Sequence, residues 1–404
     1  MNSVVLIIAA VQFVNILDFM MVMPLGPDFA RDLGIPISHL GMIGGAYTAA
    51  ACVSGLLGST FLDRFERKRA LVVALSGLTL ATVAATLADS YHGLLFARVM
   101  AGAFGGPATA VAISIISDVI PPEKRGRAMG TVMSSFAIAS IVGVPAGLEL
   151  ARLGGWKMPF YGVGALGLLV TLLAWGMLPE LRGHLTRVKS QAEQDQNFAE
   201  KFFRPLYLLS FLAMALGTFA SFLLIPNISA YLQFNWSFPR ESMGFLYLAG
   251  GACALISTKL GGAWQDRVGA NRPLWLSSSI IALCLTFGFI WPIHSIPVVL
   301  IFSAFMVGNS LRFVTLNTLV SKVPEPGVRA QFTSLLSAVQ HAASAGAAML
   351  STLLLSEGEG HQLIGVPLLA SLALGLSVIM VVVVMSIQIQ VKGRAAVAIV
   401  TEAH

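Results

Sequence analysis

Charge is what this chain has little of. Only 11% of its 404 residues are Asp, Glu, Lys or Arg, against about 25% in a soluble domain, while 56% are hydrophobic and the mean hydropathy is +0.81. That excludes a water-soluble globule and predicts an integral membrane protein. Cysteine is equally scarce. Cys52, Cys253 and Cys284 lie in apolar stretches with no paired spacing and no His cluster nearby, so neither disulfides nor a metal site is expected. No Gly-rich loop carries the Lys and Ser/Thr that cradle a nucleotide's phosphates, which favours an ion gradient over ATP hydrolysis; no cofactor is expected. The formal net charge of +6 does not point to nucleic acid, because the basic residues sit in short loops between apolar runs, where they orient a membrane protein. No basic residue precedes Arg31, and the first apolar run is long enough to span. Residues 1–26 therefore read as a first helix and not as a signal peptide.

What is there is a series of apolar runs. A hydrocarbon core of about 30 Å needs about twenty mostly apolar residues per helix. Twelve spans are predicted on that basis, near 4–26, 40–62, 69–88, 92–117, 126–150, 157–178, 205–228, 243–264, 273–291, 296–320, 331–355 and 364–388. Alternate loops hold 18 Lys and Arg on one side and 4 on the other, which makes both termini and the central loop cytoplasmic. The polar stretch from Glu180 to Arg204 is the longest, so it reads as a linker between a six-helix bundle at 1–178 and a second at 205–388, with a cytoplasmic tail at 389–404.

The two bundles repeat each other. Ser59-Thr60-Phe61-Leu62-Asp63-Arg64 returns as Gly262-Ala263-Trp264-Gln265-Asp266-Arg267, an interval of 203 residues between the aspartates. Pro122-Glu123-Lys124-Arg125-Gly126-Arg127-Ala128 returns, loosened, as Pro324-Glu325-Pro326-Gly327-Val328-Arg329-Ala330, at 202. Two unrelated loops agreeing on an interval to within one residue indicate a duplicated membrane protein: an all-α fold of two pseudo-symmetric halves side by side, with a substrate path at their interface.

The loop after the second predicted helix continues as Asp63-Arg64-Phe65-Glu66-Arg67-Lys68-Arg69. Helix 4 carries Leu94-Leu95-Phe96-Ala97-Arg98-Val99-Met100-Ala101-Gly102, and helix 5 carries Gly143-Val144-Pro145-Ala146-Gly147 followed by Gly155-Trp156-Lys157-Met158-Pro159-Phe160. Together these resemble the major facilitator superfamily, and within it the twelve-helix drug:proton antiporter branch with the arabinose-efflux-like permeases. The loop is similar to the superfamily's Gly-x-x-x-Asp-Arg-x-Gly-Arg-Lys signature, with Ser59 and Glu66 in place of its glycines; the second copy keeps both, as Gly262 and Gly269, and has Ala270-Asn271 in place of the basic pair. The resemblance implies alternating access, a central cavity lined by helices 1, 4, 7 and 10, and export favoured by the helix-5 element Gly143, Pro145 and Gly147. It also implies a gating role for Asp63, Arg64, Arg67, Asp266 and Arg267, loop charges that bridge the halves in one state and release in the other.

Within the spans, Asp18 is the one carboxylate set deep. Burying such a charge costs at least about 2.5–3.5 kcal/mol, and residues of this kind serve ion or proton paths. Arg98 lies at a comparable depth on helix 4, so the two are candidates for proton coupling or for a purely structural ion pair. Candidates for substrate binding are Asn15 on helix 1, Asn309 and Arg312 on one face of helix 10, and Gln340 and His341 mid-span on helix 11. Arg312 beside an amide would suit an anionic or polar oxygen. Lys259 can snorkel and Glu149 lies next to Arg152. The expectation is a monomeric, multi-pass transporter of a bacterial inner membrane, not an enzyme: a secondary exporter that exchanges protons for a small organic or amphiphilic compound, with a facilitator or importer of a metabolite as the alternative.

Overall fold

The computed structural model describes residues 2–181, 204–324 and 328–402; the predicted linker falls mostly outside them, and so do the side chains of Ser59–Phe61 and Asp63. In hydrocarbon every backbone polar group must be satisfied within its own segment, and the described chain is correspondingly helical apart from one two-stranded hairpin.

Among the described residues, eleven helices are long and apolar enough to cross a membrane. In chain order the spans are Asn2–Val22, Leu40–Phe61, Arg67–Ala84, Tyr91–Val119, a fifth built from Pro122–Ile138 and Val144–Gly154, Lys157–Met177, Pro205–Phe222, Met243–Val268, Asn271–Leu285, Val298–Val320, Arg329–Leu354 and Val366–Glu402. The eleventh, Arg329–Leu354, is also long enough, but Gln331, Thr333, Ser334, Gln340, His341 and Ser344 lower its hydropathy. The fifth and ninth contain a single wide turn each, Ala139–Gly143 and Thr286–Ile290, of the kind that locally re-aims a helix.

Three differences from the sequence expectation fall at helix ends. The first span stops at Val22, not 26, because Pro24 and Pro27 break it, and a short helix Gly26–Leu33 follows. The seventh stops at Phe222 and is followed by Ile228–Phe234, the same device repeated around Pro226. The twelfth apolar span, expected to end at 388, runs to Gln390, and its helix continues beyond it through the tail to Glu402. A hairpin pairing Ser356–Glu357 with Leu363–Ile364 was not anticipated from the polar run 355–365.

The loops divide between two ends of the bundle. One holds 62–66, 178–181, 204, 269–270 and 321–324, here the linker end; the other holds 23–39, 223–242 and 355–365, here the distal end. At the distal end the two six-helix sets are tied together. Arg240 donates from Nη2 to Asp28 Oδ2 at 2.6 Å and from Nε to both carboxylate oxygens at 3.2 Å. The Ile37 amide donates to Glu357 Oε2 at 3.0 Å, and the Ser229 hydroxyl to the Pro24 carbonyl at 3.1 Å. Spans 2 and 11 run in close contact below these ties, because a Cβ on Gly41 would come within 2.7 Å of Ser351 Oγ and one on Gly45 within 2.9 Å of Ala348 Cβ.

Candidate functional site

Asp18 and Arg98 meet. Both are fully buried, and Arg98 Nη1 donates to the two Asp18 carboxylate oxygens at 3.1 and 3.0 Å, while Nη2 reaches the Asp18 carbonyl at 3.4 Å. The Thr82 hydroxyl on the third span donates to Asp18 Oδ1 at 2.7 Å. The guanidinium carbon lies 4.8 Å from the centroid of the Tyr47 ring, which places a cation over an aromatic face on the second span. Arg98 Nε has no hydrogen-bond partner among the described residues. Four helices thus surround one ion pair, and the remaining lone pairs and protons are largely used.

A second set of polar groups continues from it. The Tyr47 hydroxyl donates to Asn15 Oδ1, and Asn15 Nδ2 donates to the Gly105 carbonyl at 2.9 Å and to Thr109 Oγ1 at 2.6 Å. Thr109 in turn donates to Gln12 Oε1 at 3.3 Å. Gly105 leaves the room for this crossing, since a Cβ there would lie 2.9 Å from Asn15 Oδ1. Asn15 is 4% exposed and its amide is engaged at both ends. The helix-5 element supports the same place from behind. A Cβ on Gly143 would come 2.7 Å from Leu17 Cδ1, and Gly147 faces Met21 at 3.8 Å, so the fifth span runs against the residues that bracket Asp18. Pro145 stands in the first turn of the helix that resumes after the wide turn.

In the other half Arg312, 3% exposed, has neutral partners. Nη1 donates to Ser377 Oγ at 2.9 Å, and Nη2 donates to Ser221 Oγ at 2.6 Å and to Asn309 Oδ1 at 2.8 Å. No carboxylate pairs with it among the described residues. Ser221 stands 203 residues after Asp18, the repeat interval, so a buried arginine reaches the same position in each half and meets a carboxylate in one and a hydroxyl in the other.

Gln340 and His341 are half-buried on span 11, and no hydrogen bond from either side chain occurs among the described residues. They are close in the chain to Ala338, whose carbonyl accepts from Cys52 Sγ at 3.4 Å across the interface. Of the loop charges, Arg64, Asp266 and Arg267 are exposed, while Arg67 is buried and donates from Nε to Asp118 Oδ2 at 3.2 Å within its own half. The Asp63 side chain lies outside the described residues. Glu149 pairs with Arg152, with contacts from 2.6 to 3.0 Å. Sequence reasoning missed Tyr47, Thr82, Thr109 and Ser377, because a hydroxyl within an apolar run reads as a helix-satisfied or packing group. Ser221 was within reach, through the repeat interval.

The family model described as Major Facilitator Superfamily matches residues 8–348. The chain belongs to the major facilitator superfamily. It is a multi-pass membrane transporter, and not an enzyme. The "Inner membrane transport protein YdhP" of Escherichia coli (strain K12) is 30% identical over 274 residues, covering 65% of this chain and 67% of that protein. "Multidrug resistance protein 2" of Bacillus subtilis (strain 168) is 22% identical over 292 residues, 71% of each chain. A crystal structure of a D-xylose-proton symporter superposes with a TM-score of 0.75 at 15% identity, over 94% of this chain and 97% of that one, a likeness of fold.

Proposed function

We propose that this superfamily transporter exports small organic or amphiphilic compounds in exchange for protons, with Asp18 carrying the proton. The observation that supports this is the Asp18–Arg98 pair, a carboxylate and a guanidinium of which neither is exposed to solvent. Protonating Asp18 leaves Arg98 without its counter-charge in a site where an unpaired charge is costly, so the proton is accepted only together with a rearrangement that relieves Arg98. That is how occupancy by one ion biases the orientation of the two halves.

In this reading residues 1–178 and 205–388 rock against each other, the linker end faces the cytoplasm, and the distal ties hold the cavity shut on the far side. Opening the distal end brings the Asp63 and Asp266 loops into contact with the opposite half, where Arg64, Arg67 and Arg267 lie beside them. Arg312 and Asn309 receive a polar or anionic oxygen of the compound, Gln340 and His341 supply further polar contacts, and Asn15 acts indirectly through Tyr47. The resemblance to Multidrug resistance protein 2 and the helix-5 Gly/Pro element favour export. Uptake of a compound panel into inverted vesicles under an imposed pH gradient tests the reading: accumulation that collapses with the gradient is expected, and accumulation that ignores it overturns proton coupling.

A further inference from the structure

A groove of about 410 Å³ lies on the outer flank of the second half, between spans 8, 9 and 10. Cys253, Ile256, Leu260 and Trp264 from span 8, with Leu276 and Val307 opposite, form its walls, and Ile256, Leu260 and Leu276 are 57%, 66% and 45% exposed. From Cys253 to Trp264 the groove follows eleven residues of helix, about 16 Å at about 1.5 Å per residue, close to the about 15 Å of one leaflet of a bilayer's hydrocarbon. It ends at charge. Arg267 follows Trp264 by three residues and Arg272 precedes Leu276 by four, so both stand at the groove's linker-end mouth on the faces that line it. Both are exposed, and neither forms an ion pair among the described residues.

The first half treats the matching positions differently. Arg69, 203 residues before Arg272, is paired by Nε to Glu66 Oε2 at 3.1 Å; the position matching Glu66 is Gly269. The ring of Phe104 packs directly on Gly77, and the matching positions, Val307 and Ile280, line the groove. Relative to its twin, the second half has lost both the ring that fills this place and the acid that neutralises its cation.

We propose that the groove is a binding site for an anionic phospholipid of the linker-end leaflet, with one acyl chain along spans 8 and 10 and its phosphate held by Arg267 and Arg272. A guanidinium pair beside an apolar groove matches that chemistry: donors for phosphate oxygens at the headgroup level and apolar walls below. The site is separate from the Asp18–Arg98 pair; it shares Arg267 with the proposed gate, and its test reads lipid retention and not transport.

Native mass spectrometry of the purified full-length protein, released from detergent with equal amounts of dioleoyl phosphatidylglycerol and dioleoyl phosphatidylcholine, tests this. Each arginine near the headgroup layer supplies about a fivefold preference, so retention of phosphatidylglycerol over phosphatidylcholine by about 25-fold is expected. In Arg267→Gln/Arg272→Gln the ratio falls to within about twofold, and in Val307→Phe, which refills the groove, retention of both lipids drops while the protein still elutes as one species. Equal retention of the two lipids by the unaltered protein, or a preference that survives the double substitution, or unchanged retention in a well-folded Val307→Phe, overturns the site.

Discussion

Phe19 and Phe222 stack against each other with ring centroids 6.2 Å apart and planes at 24°, and they are separated by 203 residues, the interval that relates Asp63 to Asp266. A residue that touches its own repeat counterpart lies beside the axis relating the two halves. Phe19 also contacts Tyr47 at 5.3 Å, and Tyr47 carries Arg98 on its ring face. The central axis and the buried ion pair are therefore one aromatic residue apart.

Truncating either ring removes the same contact. Phe19→Ala and Phe222→Ala are expected to show a coupling of about 0.5–1.5 kcal/mol in a double-mutant cycle on thermal stability, the scale of an aromatic pair beyond its area. Strict additivity of the two substitutions would mean that the rings do not bear on each other.

Asp18→Asn alone leaves Arg98 buried and unpaired, which costs about 3–5 kcal/mol. Combining it with Arg98→Gln removes the stranded charge and is expected to recover most of that loss. Melting of the purified variants in one detergent checks the order: the single substitution is the least stable of the three forms.

Arg312→Gln is expected to weaken binding of anionic compounds by about 1.5–3 kcal/mol, the scale of a charged hydrogen bond, with neutral compounds little changed. Ser221→Asp supplies an internal counter-ion at the position that Asp18 occupies in the other half, 2.6 Å from Arg312 Nη2 at the present hydroxyl, and should both stabilise the protein and exclude anions. Competition binding over a charge-graded panel measures it; equal losses for neutral and anionic compounds would assign Arg312 to structure.

The distal ties respond differently to charge removal and to pH. Arg240→Gln breaks three contacts to Asp28 and is expected to favour the distal-open state by about 1.5–3 kcal/mol, read as faster labelling of a cysteine introduced beneath the tie. Glu357 is held below the ordinary carboxylate range, chiefly by its hydrogen bond with His361 at 2.5 Å and also by the Ile37 amide. A carboxyl held low contributes fully above the ordinary range and less as pH falls through its lowered value. Labelling should thus rise as pH falls below about 5, by under about 1 kcal/mol because the group is partly exposed, and Glu357→Gln should flatten that rise.

The spans and the duplication were legible because apolar runs of about twenty residues and a repeated loop interval are written along the chain. The Asp18–Arg98 pair was legible as a candidate because a deep carboxylate and a deep guanidinium are each too costly to stand alone. Tyr47 was not, since an aromatic within an apolar run carries no sign of whether its hydroxyl is bonded. The Asp28–Arg240 tie joins residues 212 positions apart in loops without periodicity, and the short helices and hairpin that present them are set by proline placement and by docking of one half on the other. Arg312 was visible as a buried charge, but its partners Ser221 and Ser377 are hydroxyls that in sequence read as bonding their own helix.

Proteoliposomes holding a pH-sensitive dye test whether Asp18 carries the proton. The Asp18→Asn/Arg98→Gln form is compared with the unaltered protein, because it removes the titrating group without stranding a charge. The unaltered protein is expected to move protons when compound is added and to accumulate compound under a pH gradient, while the double variant keeps compound-for-compound exchange but does neither. Accumulation by the double variant under the gradient at the unaltered rate would contradict it.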